Sequence, residues 1–243
     1  MDFKDFKELT KRDNQKSFQA TWYFASLFSK YVSFVLFKLN FSANAATILF
    51  FFIGLLGLPL IICNDPLTIF LSYLFFRLHI IVDLSDGDLA RLNKSYSFKG
   101  KFLDYVNHVI IYPSYIICIT IITFWNLNDL SFIYYGIILS FLMSLKLSLK
   151  HIYSRAIFES NITIEEFKSE KKVLKSSSYK LFLSNLIVDL VSIEGFFFFY
   201  ILFSLIGLDS IYYILFPTYT VLFTAFITVK FYLFINKKTF SKN

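Results

Sequence analysis

Little in this chain of 243 residues would cross-link it or break it into parts. Its two cysteines, Cys63 and Cys118, lie in apolar runs without a partner at ligand spacing, which argues against a disulfide framework or a zinc site. Both read as packing residues. Four prolines and seven glycines form no Pro-rich or Gly/Ser-rich linker, and neither a long repeat nor a second domain is visible. No secretory signal is expected either. Residues 1–16 carry Asp2, Asp5, Glu8 and Asp13 among their lysines, and no small-residue cleavage pattern follows, so the chain is expected to stay uncleaved. Basic residues are absent from three short connections, 64–66, 125–130 and 208–210.

What is present is oil. Hydrophobic residues make up 56% of the chain and aromatic ones 21%, with a mean hydropathy of +0.60, values that fit a polytopic membrane protein and exclude an ordinary soluble domain. Six stretches are apolar enough to cross a bilayer, at roughly 46–63, 66–84, 102–124, 131–152, 183–207 and 211–235. The fold expected is therefore all-α and integral to the membrane, with six transmembrane helices. Lysine and arginine gather before the first span, around 91–101, between Lys146 and Lys180, and from Lys230 onward. The positive-inside rule then puts both termini, the 84–101 segment and the 153–180 loop in the cytoplasm. The net charge of +7 needs no nucleic acid to explain it and is matched to anionic lipid headgroups.

Ahead of the first span, Phe18, Trp22, Ala25, Val32, Val35, Leu36 and Leu39 recur near helical spacing, with Gln19, Ser26, Lys30, Ser33 and Lys38 mostly on other faces. That pattern predicts an amphipathic helix lying at the interface. The expected organisation is a cytoplasmic N-terminus and interfacial helix over 1–40, a six-helix membrane domain over 41–236 and a cytoplasmic tail over 237–243. Residues 159–180, rich in charge and serine, read as a solvated loop.

The chemistry sits between Asp83 and His108, where the chain reads D-L-S-D-G-D-L-A-R, then eight residues, then G-K-F-L-D-Y-V-N-H. If the second span stays helical past Asp83, then Asp83, Asp86, Gly87, Ala90 and Arg91 share one face. Acids at the end of an apolar span are costly and ask for a partner, and a divalent cation suits several at once. Asp104 and His108 stand one turn apart on the next span, so two helices could aim three carboxylates and an imidazole at one point. Hard oxygen donors of this kind suit Mg²⁺ or Mn²⁺ completed by phosphate oxygens and water. Gly87 and Ala90 leave room for a ligand near the backbone, Arg91 can fork onto a phosphate, and Gly100 lets the chain return closely.

These residues resemble the signature of the CDP-alcohol phosphatidyltransferase family, D-x-x-D-G-x-x-A-R, eight or nine residues, G-x-x-x-D-x-x-x-D. Asp83, Asp86, Gly87, Ala90, Arg91, Gly100 and Asp104 match it one by one. Upstream, S-A-N-A-A-T at 42–47 is similar to the family's T-P-N-x-x-T, with Asn44 and Thr47 kept and Ala43 in place of the proline. The resemblance implies transfer of a substituted phosphate group from a CDP-linked donor to a hydroxyl acceptor, with release of CMP. It implies that the first three acids bind metal, that the Gly–Ala face receives the nucleotide, and that the fourth acid takes the acceptor's proton. A homodimer is a family expectation too.

The fourth acid is replaced by His108. A neutral imidazole is a competent base near pH 7, so His108 is expected to take over that role; a weakened site is the competing reading. Elsewhere, Lys146, Lys150, His151 and Arg155 follow helical spacing at the end of the fourth span and are candidates to receive an anionic acceptor or lipid phosphate, against the common case of snorkelling cations. Asp189 and Glu194 lie in the fifth apolar segment, and either could line an acceptor pocket or pair with a cation such as Arg77. His79, one turn before Asp83, reads as a packed histidine more readily than as a support for the metal ligands. The expected protein is a membrane phosphotransferase of phospholipid or related lipid or polyol-phosphate synthesis. A non-catalytic relative that binds nucleotide or lipid, and a transporter with a carboxylate-lined path, are the rivals. The transporter fits less well, because the acids gather at the membrane edge and no repeat is seen.

Overall fold

The structure is a computed structural model that describes residues 1–11, 20–95, 97–159, 190 and 192–236. Within them the chain forms α1 (Phe3–Leu9), α2 (Ala20–Lys38), α3 (Ala43–Ile62), α4 (Pro66–Leu92), α5 (Phe98–Leu127), α6 (Ser131–Glu159), α7 (Ile193–Leu205), a 3₁₀ turn at Asp209–Ile211 and α8 (Tyr212–Asn236). No strand occurs among the described residues. The protein is an all-α integral membrane protein, with five helices long and apolar enough to cross a bilayer: α3, α4, α5, the stretch Ser131–Leu149 of α6, and Asp209–Leu233. The sixth expected span falls partly outside the described residues, and its visible part, α7, is a shorter apolar helix.

Caps set the helix boundaries that matter for function. Ser42 accepts from the Ala45 N–H at 3.1 Å to start α3, and Ser97 accepts from the Gly100 N–H at 3.0 Å to start α5, each using a short side chain to satisfy an orphan helical donor. Asp65 caps α4 through the Leu67 and Thr68 N–H groups, with Pro66 in the first turn, where its missing N–H costs nothing. α4 ends with Lys94 in the left-handed region at φ 48°, and the Ser95 N–H returns to the Ala90 carbonyl at 3.0 Å. Chain reversal takes five residues, 93–97, so nearly all of the signature is helical.

α3 and α4 form the central antiparallel pair, joined by α5 on α3, α2 and α7 on α4, α6 on α5, and α8 on α6. Aromatic side chains weld the core. Phe76 of α4 meets Tyr112 and Tyr115 of α5 and Phe197 of α7 at ring separations of 4.9–5.5 Å, distances at which edge-on and tilted ring contacts add to area burial. At the end of the bundle where α3 gives way to α4, Asn64 and Asn126 exchange amide hydrogen bonds of 2.6 and 3.0 Å. The opposite end brings together the start of α3, the end of α4 and the start of α5.

The interior face of α2 is not the one its apolar spacing suggests. Ala25, Ser26, Ser29, Lys30, Ser33 and Leu36 are buried, whereas Leu27, Phe28, Tyr31, Val35 and Leu39 are exposed. Beside a bilayer, helices meet through small and polar residues and turn their apolar ones to lipid. Phe18, Gln19 and the Trp22 side chain lie outside the described residues, as do the 160–180 segment, Asp189 and the tail beyond Asn236.

Candidate active site

Because α4 stays helical to Leu92, the stripe from Asp83 to Arg91 forms as one face. α5 runs back beside it from Phe98. Together they hold Asp83, Asp104 and His108 so that one donor atom of each lies within 4.8 Å of the others. His108 Nε2 is 3.1 Å from Asp104 Oδ1 and 3.6 Å from Asp83 Oδ2. Two carboxylate oxygens and an imidazole nitrogen at this spacing form a donor set that fits one small divalent cation. Asp86 is turned toward α3, where Thr47 Oγ1 donates to its Oδ2 at 2.6 Å, yet it stays within electrostatic reach of Asp83, Asp104 and His108.

The pocket lies against this cluster. It encloses about 140 Å³ and is lined by Ala43, Asn44 and Thr47 of α3, Asp86, Gly87 and Ala90 of α4, Ser95 and Ser97 of the connection, and Gly100, Lys101 and Asp104 of α5. Asp86 and Asp104 therefore belong both to the wall and to the acidic group. Two helices, α3 and α5, begin here, and helix N-termini favour anionic ligands.

Small residues keep the pocket open. A Cβ on Gly87 would meet only the Arg91 guanidinium, at 3.5 Å, so the glycine leaves space rather than avoiding a clash. Gly100 is different: a Cβ there would come within 2.7 Å of Asn44 Oδ1, an atom that also accepts from Ser97 Oγ at 3.2 Å. Asn107, buried on α5, donates to the Thr47 carbonyl at 3.1 Å and ties α5 to α3.

The His108 ring is packed by Tyr112, Phe50 and His79 at centroid distances of 5.3, 6.1 and 6.1 Å. His79 is fully buried, with Nδ1 2.8 Å from the Phe50 carbonyl. A carbonyl only accepts, so Nδ1 carries the proton and Nε2 presents a lone pair. Neither His79 Nε2 nor His108 Nδ1 has a hydrogen-bond partner among the described residues.

Most of the site expected from sequence converges. Asn44, Thr47, Asp86, Gly87, Ala90, Gly100 and Asp104 share the pocket, Asp83 and His108 lie beneath it, and Arg91 arches over Gly87. Of the four acceptor candidates, the three whose side chains are described do not join them. Lys146 stands 5.4 Å over the rings of Phe223 and Phe226, Arg155 pairs with Glu159 at 2.7 Å on an exposed surface, and buried Glu194 accepts from Ser192. None of these three lines the pocket, and the Lys150 side chain lies outside the described residues.

Lys101 and Ser97 line the pocket without having been singled out in sequence; Lys101 adjoins Gly100, and Ser97 is the residue that caps α5. Asp88 was missed as well. It is fully buried on α4 and accepts from Lys30 Nζ at 2.8 Å and Arg91 at 2.6 Å.

The profile of CDP-alcohol phosphatidyltransferases matches residues 39–206, well over half of the chain. No curated protein matches it.

Proposed function

Since the chain belongs to the CDP-alcohol phosphatidyltransferase family, we propose that Asp83, Asp86, Asp104 and His108 form the reaction centre for moving a substituted phosphate group from a CDP-alcohol to a hydroxyl acceptor in the membrane. The observation that carries this reading is the approach of Asp83, Asp104 and His108 to within 4.8 Å of one another beside a pocket walled by Gly87 and Ala90. The family uses a divalent metal; Asp83 and Asp104, with Asp86 beside them, would hold Mg²⁺ or Mn²⁺, which supplies neutralisation of diphosphate charge. Asn44, Thr47 and Gly100 shape the nucleotide end of the pocket, and Arg91 binds the diphosphate.

In this reading the acceptor oxygen forms a bond to the phosphorus distal to cytidine, the bridging P–O bond breaks toward the cytidine phosphate, and CMP leaves with that electron pair. His108 takes the acceptor's proton, and Asp104 orients its ring. The gain comes from alignment and from charge placed in advance. The active end and both termini face the cytoplasm, the residues beyond α2 form one six-span unit, and lipid or polyol-phosphate synthesis is the setting.

Incubating purified protein with Mg²⁺ or Mn²⁺ and a panel of CDP-linked donors and hydroxyl acceptors, with CMP as readout, tests this directly. His108→Ala should lose roughly 10²–10⁴ in turnover, and His108→Asp should keep part of it. An Ala variant as active as the parent removes His108 as base. The closeness of Nε2 to two carboxylates favours a second role as a metal ligand. Recovery of His108→Ala at raised Mg²⁺ would favour that role over proton transfer.

A further inference from the structure

Lys30 lies on α2, outside the residues matched by the family profile. Its Nζ nevertheless reaches the signature helix. It donates to Asp88 Oδ1 at 2.8 Å, and to the Thr10 carbonyl and hydroxyl at 2.5 and 3.0 Å. Both partners of the Lys30–Asp88 pair are deep inside the protein, at 6% and 0% exposure. Ser33, one turn further along α2, lies 3.0 Å from Asp88 Oδ2. Asp88 also receives Arg91 NH2, on the same Oδ1, at 2.6 Å.

One carboxylate oxygen, Asp88 Oδ1, thus receives both Lys30 and Arg91. Arg91 is the outer of the two, with its side chain 31% exposed and its guanidinium over Gly87 in the pocket wall. Arg91 Nε is buried with no hydrogen-bond partner among the described residues. A guanidinium held by Asp88 at one nitrogen, on a side chain that is partly exposed, can fork its remaining terminal N–H groups onto an anion. The second cation determines how firmly Asp88 holds it. With Lys30 present, Asp88 Oδ1 is shared between the two cations; without it, Arg91 loses Lys30 as a competitor for that oxygen.

On the reading of the site given above, we propose that Lys30 is a positioning residue for Arg91: through Asp88 it holds the guanidinium over Gly87, free enough to grip the diphosphate of the donor. The N-terminal helix α2 is then a working part of the nucleotide site, although none of its described side chains lines the pocket.

The test is a double-mutant cycle on the full-length protein in detergent, with CDP and Mg²⁺ as the probe and Kd as the readout. Lys30→Met should raise the Kd for CDP about ten-fold, Lys30→Arg should bring it to within about three-fold of the parent, and Arg91→Ala should raise it at least as much as Lys30→Met. On the Arg91→Ala background, Lys30→Met should add less than two-fold, because its effect runs through the missing guanidinium. In turnover, KM for the donor should rise while KM for the acceptor stays put, a split that general loosening of the fold would not produce. If Lys30→Met does not fold, the charge-neutral pair Lys30→Met/Asp88→Asn takes its place in the cycle.

A Lys30→Met protein that binds CDP like the parent, or effects of Lys30 and Arg91 that multiply, overturns the inference and leaves the functional reading standing. A parent that binds no CDP sinks both.

Discussion

Gly87 separates the demands of folding from those of the site. It sits inside helix α4, where glycine is up to about 1 kcal/mol worse than alanine, and its missing Cβ avoids no clash, only contact with Arg91 at 3.5 Å. Gly87→Ala should therefore melt at the parent's temperature or slightly above it, while nucleotide binding falls by about ten-fold or more as the methyl group intrudes on the wall. Thermal unfolding and CDP titration on the same sample check both halves. Gly100→Ala should behave differently, since its Cβ would press Asn44 out of place and weaken folding and binding together. Asp83, Asp86, Gly87, Ala90 and Arg91 were legible because their spacing put them on one helical stripe. Asp88 was not, since it occupies a position the signature leaves free and its partner lies 58 positions away, on a helix whose docking no local pattern records. His108 was legible as a departure from the signature, though not as a group whose Nε2 already faces two carboxylates.

Helices show the same divide between local pattern and tertiary setting. α4 and α5 could be expected from apolar length, and continuation of α4 through the signature follows from the stripe itself. The buried side of α2 could not be, because apolar spacing identifies an oily face without saying whether lipid or protein covers it. Where α5 meets α6 the contact depends on a missing side chain: a methyl group on Gly136 would overlap Thr120. Gly136→Ala should cost about 1–3 kcal/mol, the usual range for overpacking a close helix contact. Thr120→Ala in the same protein should restore part of it by removing two of the three overlapping atoms. Thermal unfolding in detergent measures both, and an additive loss would mean the two helices do not touch there as described.

At the level of the whole protein, three carboxylates on neighbouring helices repel one another, a repulsion that a divalent cation would relieve. Anything that binds only the folded form stabilises it by mass action, by about 2.7 kcal/mol at a hundred-fold excess over Kd. Mg²⁺ or Mn²⁺ should raise the melting temperature of the parent and EDTA should reverse the shift, whereas Asp83→Asn/Asp104→Asn should show no response. A parent whose melting point ignores both ions would remove the metal from the site.

The lengths of α4 and α5 set where that chemistry happens. At 27 and 30 residues they measure about 40 and 45 Å, against a hydrocarbon layer of about 30 Å that some twenty residues cross. Counted from the ends that the Asn64–Asn126 amide exchange holds level, oil is used up near Asp86 on one helix and near Asn107 on the other. Gly87, Ala90, Gly100, Lys101 and Asp104 then overhang into the headgroup layer, with Asp83 and His108 at its floor. An amphiphile could slide in sideways with its tails still dissolved and only its polar end raised to the acids. Such a ligand would reach the acids without leaving its own solvent.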